Sequence, residues 1–498
     1  MPQQLNTKTS KRTPSHRRIP ESIHEGVMHD GGVNAWMDDP ENGTPIQRPA
    51  PALENGNLSY QIQDDEVPLG FYAVGTASFR YWNAAEALRR GADFWQARIP
   101  QLAWFEGIGP KLPIFLDDGF DFNAFYDRTA LKFFHGNATG GTVFSGESPD
   151  VLCHEMGHAI LDAIRPDLWD IAAQEVAAFH ESFGDMSAIL SALQLPLMRA
   201  AVISETGGHV NRSSRLSRLA EQLGQAIRES YPNDVDPDCL RNASNRFMYV
   251  PPLKLPSSGP ASILTAEPHS FSRVFTGAFL DALAGMLLAI ARDPGAPTED
   301  ELLQVSNQIG DILIAGIHNA AATSDFYSQV AAGMVQAAGQ TDSAFARPLK
   351  AAFVKRGILS VSSATSVQTL VDAAKILSHR MTGAATLVSH APSHLALDAK
   401  HYGLGDQALI VEAPSQPRKF SVSAAVTDVV PSQVPSSDVA AQGFVDQLFK
   451  QGRVDLSGVA DEAERIDPLS SLKTHRLVKD NGALQLKRVL CDCGLKHD

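Results

Sequence analysis

The 498-residue chain has few cysteines, no excess of basic residues and no long uninterrupted apolar run. Four cysteines in a chain of this length exclude a scaffold built on disulfides. With 42 basic and 56 acidic residues the formal charge is −14. This balance argues against nucleic acid as the main partner, because phosphate binding needs a concentrated basic face. The longest apolar stretch, 274–291, is interrupted by Asp281, which indicates a buried helix and no membrane span.

The N-terminal residues are basic, but no apolar run follows them, so they do not resemble a secretory signal. We therefore expect a cytoplasmic protein, with export by a route that needs no cleavable signal as the alternative. Cys153 lies in an apolar helical pattern and is expected to be a buried free thiol. Cys491 and Cys493, two residues apart, would point to one face of a strand. The absence of a second pair at zinc-site spacing argues against a metal or redox role for them.

Composition and periodicity divide the chain into an irregular N-terminal arm, a β-rich part around one helix, a helical part and an α+β appendage. The last of these ends in a hairpin expected around Asp480, Asn481 and Gly482. The boundaries of the four regions are 1–58, 59–150, 151–360 and 361–498. Helices are predicted at 78–99, 151–164, 170–193, 214–230, 272–293, 299–318, 323–339 and 344–356. Short strands are predicted at 69–74, 112–116 and 131–134.

The sequence HEMGH at 154–158 carries the chemistry. On a helix, His154 and His158 lie one turn apart on the same face, so their imidazoles can bind one zinc ion. Glu155 is then placed to activate a water bound to that zinc. A five-residue pattern is only moderately specific. However, the surrounding residues of 151–164 are largely apolar, and polar groups buried in a core need a partner.

A catalytic zinc site needs a third protein ligand, and the next helix offers Glu175 and Glu181. Both carboxylates are suitable on chemistry alone. Glu181 and Asp185 are four residues apart on one face, so Asp185 can accept a hydrogen bond from a ligand histidine while Glu181 binds the metal. This arrangement favours Glu181 over Glu175, for which the alternative interpretation is a solvated helix face.

Together these segments resemble the thermolysin-like gluzincin peptidases. The resemblance covers about 123–281, and weaker similarity extends towards the N-terminus to about residue 60 and towards the C-terminus to about residue 358. Six segments occur in the family's order, from an edge-strand motif through the zinc helix to a histidine segment. They are Asn123-Ala124-Phe125-Tyr126, the lead Ser148-Pro149-Asp150, HEMGH, Glu181-Ser182-Phe183-Gly184-Asp185, Leu240-Arg241 and His269-Ser270-Phe271-Ser272.

The resemblance implies a fold and a set of roles. The fold is α+β, with a β-rich lobe, a helical lobe and the zinc site between them, plus the C-terminal appendage. Glu155 and His269 would be catalytic, with His269 stabilising the transition state. Asn123 and Ala124 would hold the substrate backbone, and Arg241, 28 residues before His269, would hold a substrate carbonyl.

The chain also departs from the family. Trp169 stands where the family has a tyrosine that binds the oxyanion, and only its indole N–H could donate there. Residues 186–200 contain no acid, which predicts that the family's calcium site is absent. The acid that orients the transition-state histidine in the family has no clear equivalent here, and Glu267 is a candidate for it. Residues 194–239 look like an insertion.

These observations predict a zinc-dependent metalloendopeptidase that hydrolyses peptide bonds of a peptide or protein substrate through a zinc-bound water activated by Glu155. Two alternatives stay open at this point. One is a zinc-binding scaffold or inactive homologue, although a structural site has no use for Glu155. The other is the peptidase domain of a delivered effector.

Overall fold

The computed structural model describes residues 31–360, 393–416, 434–457, 473–480 and 482–493. Within these ranges the protein is of the α+β class, with ten α-helices and several small sheets. The helices are α1 Ala77–Gln96, α2 Pro149–Ile164, α3 Gln174–Ala192, α4 Pro196–Thr206, α5 Glu221–Ser230, α6 Pro268–Ile290, α7 Glu299–Asn319, α8 Phe326–Thr341, α9 Ser343–Lys355 and α10 Ser437–Lys450.

Most strands are short and belong to two five-stranded sheets or to isolated hairpins. In the first half they are β1 Gly32–Trp36, β2 Pro45–Pro49, β3 Ser59–Ile62, β4 Lys111–Phe115, β5 Ala124–Tyr126, β6 Leu131–Phe133, β7 His135–Ala138 and β8 Gly141–Phe144. In the second half they are β9 Arg218–Leu219, β10 Arg241–Asn242, β11 Ser393–Asp398, β12 Ala408–Ala413, β13 Val454–Asp455, β14 His475–Asp480, β15 Ala483–Arg488 and β16 Cys491–Asp492.

The first five-stranded sheet has the strand order β16-β5-β6-β4-β3. Four of its strands come from 59–133, whereas β16 comes from the end of the chain. β5 pairs antiparallel with β6 on one side and with β16 on the other. Within the described part of the chain, β5 would therefore be an edge strand without β16, a position to which extended segments can add.

Helices α2 and α3 form the closest helix pair in the molecule's centre. The Ser148 side chain accepts a hydrogen bond from the Val151 backbone N–H, with Pro149 at the first helical position, so the lead sequence caps α2. A Cβ added to Gly157 would lie 2.9 Å from the Cα of Gly184. The two helices can therefore cross this closely only because both residues are glycine.

Helix α6 packs against α3 and α9 and is apolar along most of its length. By length and composition α6 could cross a membrane, as could the sharply bent pair of α3 and α4 if it were one span. In the folded protein, 72% of the most apolar 18-residue segment of α6 is buried. That burial is typical of a core helix.

The predicted helices agree with the observed ones to within a few residues for most of the chain. The exceptions are α4, which was not predicted, the helix predicted at 214–230, of which only the C-terminal part forms as α5, and 69–74, where no strand forms. Helix α3 begins at Gln174 and not at residue 170, because the preceding loop docks on the C-terminal part. The backbone N–H of Ala172 donates to the carbonyl of Glu412 at 2.7 Å.

Residues 31–58 differ from the irregular arm predicted for 1–58. Strands β1 and β2 pair over their full length, and Val33 and Trp36 are buried against the core. The Trp36 backbone N–H donates to Asn83 Oδ1 in α1 at 2.9 Å, which ties the hairpin to that helix. Residues 1–30 lie outside the described residues.

The described part of the C-terminal appendage is a sheet of order β11-β12-β15-β14-β13 with α10 packed on β12. The predicted terminal hairpin is confirmed, since β14 and β15 pair from His475 and Arg488 to Asp480 and Ala483. Lys487 Nζ lies 3.1 Å from Asp170 Oδ2, which joins this sheet to the loop before α3. The remaining parts of 361–498, including most of its Pro- and Ser-rich stretch, lie outside the described residues.

Candidate metal centre and peptide-binding groove

Three buried side chains from α2 and α3 converge on one point. The rings of His154 and His158, one turn apart on α2, have centroids 4.8 Å apart. Glu181 on α3 places one carboxylate oxygen 3.4 Å from His154 Nε2 and the other 3.8 Å from His158 Nε2. The donor atoms all lie within 4.8 Å of one another, so this group could hold a metal ion.

The chemistry of these atoms fits a bound cation. His154 Nε2, both ring nitrogens of His158 and Glu181 Oε2 have no hydrogen-bond partner among the described residues. The three residues are at most 4% exposed, so water does not satisfy these atoms either. Buried polar atoms without partners are costly, and a metal ion bound here would remove that cost.

Asp185 orients the first histidine. Its carboxylate lies 3.0 Å from His154 Nδ1, which leaves Nε2 directed at Glu181 and His158. Burial lowers the pKa of His154, but the Asp185 and Glu181 carboxylates beside its ring outweigh it and raise the pKa to about 9. A Cβ on Gly184 would lie 2.6 Å from His154 Nδ1, so glycine is required where this imidazole passes α3.

Glu175, the competing third ligand, has different partners. The Tyr249 hydroxyl donates to one of its carboxylate oxygens at 2.6 Å, and the Tyr327 backbone N–H donates to the other at 2.8 Å. Burial raises the pKa of Glu175 to about 8. The structure thus places Glu181, and not Glu175, beside the two histidines.

Glu155 lies on α2 next to His154 and is fully buried. Burial raises the pKa of its carboxyl to about 8, while contact with the Cys493 thiol acts in the opposite direction. A carboxyl with a pKa near neutrality can both accept and donate a proton, which is the property required of a general base that later acts as an acid.

His269, at the start of α6, is held by Glu267. The His269 Nδ1 atom lies 2.6 Å from Glu267 Oε1, so this acid contacts the histidine as the sequence suggested. Burial opposes protonation of His269, but Glu267 and Glu181 outweigh it and raise the pKa to about 10. His269 Nε2 lies 3.3 Å from Glu181 Oε2 and 2.6 Å from the Asp492 carbonyl, to which a protonated ring donates. A proton donor therefore faces the point where the ligands meet.

Arg241, in β10, reaches the same point from the other side. One of its guanidinium nitrogens lies 3.0 Å from Asp185 Oδ1, and both groups are buried. The neighbouring Asp185 raises the pKa of Arg241 against the effect of burial, and the Arg241 and His154 charges hold the pKa of Asp185 at about 2. Asp185 therefore links a metal-facing histidine and a cation in one ion-pair network.

Asn123 and Ala124 lie beside α2, one strand in from the β16 edge of the first sheet. Ala124 begins β5, and the buried Asn123 directly precedes it. The Ala124 carbonyl accepts a hydrogen bond from the Cys493 backbone N–H at 3.0 Å, and the Cys493 carbonyl lies 3.4 Å from Arg241 Nη1. Two residues predicted to hold a substrate thus contact Cys493, which directly follows β16.

Trp169 is buried beside Tyr126 and His180. Its indole N–H donates to the Arg488 carbonyl at 3.1 Å, so this donor is engaged by the C-terminal hairpin. A role of Trp169 in binding an oxyanion stays a prediction.

Several residues at the site were not singled out from the sequence, or were given no role there. His180 on α3 is buried and has no hydrogen-bond partner among the described residues, and with His158 and Cys491 it forms a second group that could hold a metal ion. Arg453, after α10, forms a buried ion pair with Asp492. His180 precedes Glu181 directly, but nothing local to Arg453 or Cys491 signals this position.

A cleft of about 390 Å³ borders the site on the side of Arg241 and His269. Arg273, Lys450 and Arg453 also line it, together with the acids Asp234 and Glu267. Comparison with protein-family models and with curated proteins finds no match for this chain. The functional argument therefore depends on the arrangement of these side chains.

Proposed function

We propose that the chain is a zinc-dependent metalloendopeptidase with the two-lobed arrangement of the thermolysin-like gluzincins. The observation that carries the proposal is the convergence of His154, His158 and Glu181, with Glu155 beside them and His269 opposite. Two histidines and one carboxylate are the ligand set of a catalytic zinc site, which keeps a coordination position for water or substrate.

In this proposal His154, His158 and Glu181 hold the zinc ion. When bound, zinc supplies a Lewis acid that polarises the substrate carbonyl and lowers the pKa of a water molecule. Glu155 accepts the proton of the attacking water and transfers it to the leaving amine.

Other residues bind the substrate and its developing charge. The carbonyl of Ala124 accepts a backbone N–H of an extended peptide that adds to the edge of β5. The protonated His269 donates a hydrogen bond to the oxygen that becomes negative, and Arg241 holds a neighbouring carbonyl. Asp185 and Glu267 are positioning residues, since each fixes the orientation of a group that contacts metal or substrate.

The test uses a quenched fluorescent peptide and zinc analysis of purified protein. We expect peptide hydrolysis that a zinc chelator abolishes and added zinc restores, and a loss of about 10³-fold or more in Glu155→Gln with its zinc retained. Glu155→Gln as active as the wild type would refute the proposal. The scaffold alternative would be supported by a protein that binds zinc tightly but stays inactive after its C-terminal segment has been displaced by the substitutions given below.

Ligand assignment is tested by a matched pair of variants on α3. Glu181→Ala is expected to lose zinc, whereas Glu175→Gln, a buried carboxylate on the same helix, is expected to keep it. Zinc retained at full affinity by Glu181→Ala would contradict the assignment.

A further inference from the structure

We propose that residues Cys491–Cys493 occupy the substrate groove as a bound peptide and hold the protein in a latent state, an inference that rests on the proposed peptidase function. In this view the C-terminal appendage is an inhibitory domain. The protein becomes active when β16, the last strand of the described chain, leaves the groove.

The backbone of this segment adds to β5 as a substrate would. Cys491 pairs with Tyr126 and Asp492 pairs with Phe125 in antiparallel register. The ladder continues with the Cys493 N–H, which donates to the Ala124 carbonyl. Only Val489 and Leu490 separate β16 from β15, so the chain passes directly from the appendage sheet into the groove.

Two consecutive carbonyls of the segment meet the two side chains proposed to bind substrate carbonyls. The Asp492 carbonyl lies 2.6 Å from His269 Nε2, and the Cys493 carbonyl lies 3.4 Å from Arg241 Nη1. Because His269 would face the oxygen at the bond to be cut, the peptide bond between Asp492 and Cys493 lies in the reacting position.

The side chains of the segment cover the remaining reactive groups. Residues two apart on a strand share one face. Cys491 Sγ lies within 4.8 Å of nitrogens of His158 and His180, and the Cys493 thiol lies near Glu155. Glu155 and His158 are both 0% exposed. No peptide can reach them while the segment is in place.

The appendage anchors the segment by charge. Asp492 Oδ2 lies 2.9 Å from Arg453 Nη1, and the two side chains are only 5% and 6% exposed. Because the segment is tethered to the same chain, its effective concentration in the groove is on the order of millimolar. A substrate at micromolar concentration therefore competes poorly with it.

The first test displaces the segment in the full-length chain. Asp492→Asn removes the charge that faces Arg453, and Cys493→Pro removes the N–H that donates to Ala124. We expect either variant to hydrolyse a quenched peptide at least about tenfold faster than the wild type, since a broken buried ion pair or strand contact releases the segment. Asp455→Asn is the matched control, because its partner Arg476 is half exposed and lies away from the groove.

The second test supplies the segment in trans. A synthetic peptide of residues 489–498 is expected to inhibit the activated variants, and a scrambled peptide is not. Intact mass spectrometry checks that the wild-type chain is not cut between Asp492 and Cys493. Rapid cutting there would make the segment a substrate and overturn its assignment as an inhibitor.

A readout independent of activity separates failure of this inference from failure of the peptidase proposal. Cys491 and Cys493 should react slowly with a thiol reagent in the wild type and rapidly in Asp492→Asn. Equal rates for the two proteins, or a wild type as active as both variants, would overturn the inference while leaving the peptidase proposal intact. Released thiols with no hydrolysis by any variant would refute the peptidase proposal and with it the inhibitory role.

Discussion

The ion pair between Asp185 and Arg241 offers a quantitative test of the site. The two charged atoms lie 3.0 Å apart, and the side chains are 1% and 5% exposed. At an effective dielectric constant of about 20, two unit charges at this distance attract by about 5 kcal/mol. Burial raises the pKa of Asp185, but the Arg241 and His154 charges outweigh it and hold the pKa at about 2, which agrees in sign with this attraction.

We therefore expect a coupling free energy of about 2–5 kcal/mol in a double-mutant cycle of Asp185→Asn and Arg241→Gln. Urea unfolding of the metal-free protein at neutral pH gives the four free energies of unfolding. Because the folded-state pKa of Asp185 is depressed, its contribution to stability is fully present above the unfolded pKa of 3.8 and is lost as the pH falls through about 2.

The amide of Asp185→Asn removes the charge, and we expect a zinc affinity about 10–100-fold lower because His154 is then oriented less firmly.

The matched control is the cycle of Asp455→Asn and Arg476→Gln. This pair lies at a similar distance of 3.0 Å, but Arg476 is 55% exposed. Its coupling should stay below about 1 kcal/mol because exposed ion pairs are screened by water. If the costs of Asp185→Asn and Arg241→Gln add to within about 0.5 kcal/mol, the two residues are not coupled and the ion-pair network described here is refuted.

Two further predictions concern α3. Burial raises the pKa of Glu175 from 4.5 in the unfolded chain to about 8 in the folded protein. Between these two pH values the folded protein keeps a proton that the unfolded chain loses, so the free energy of unfolding falls as the pH rises from 4.5 to 8. Glu175→Gln should flatten this decline by up to about 1.4 kcal/mol per pH unit in urea unfolding at pH 5 and pH 8, and an unchanged slope would contradict the assignment. Gly184→Ala should displace the His154 ring, lower stability by about 1–3 kcal/mol and weaken zinc binding in a chelator competition. Gly140→Ala, which would meet no atom within 4 Å, should change neither.

The helical part of the fold could be predicted from the sequence because helix signals are local. The cap at Ser148, the apolar positions of α2 and the proline after Ile164 define that helix without knowledge of the rest of the chain. The helix predicted at 214–230 forms only in its C-terminal part, as α5, and α4 was not predicted. The β1–β2 hairpin was missed because 31–58 has little periodicity, and its burial depends on α1.

At the site, spacing alone placed His154, His158 and Glu155 on one helix and Asp185 on the face of Glu181, because a helix turn brings residues four apart together. The spacing also favoured Glu181 over Glu175, because only Glu181 has Asp185 one turn further on, and tertiary packing then placed Glu181 beside the histidines. Only the crossing of α2 and α3 at two glycines directs Glu181 to the histidines.

The placement of β16 was decided by tertiary structure alone. The sequence indicated that Cys491 and Cys493 share a face of a strand, which follows from strand geometry. It did not indicate which sheet that strand would join, because edge pairing is set by backbone groups that every residue has in common. The folded chain brings Asp492 to Arg453 and the Cys493 N–H to Ala124, and so places β16 beside the side chains that could hold a metal ion.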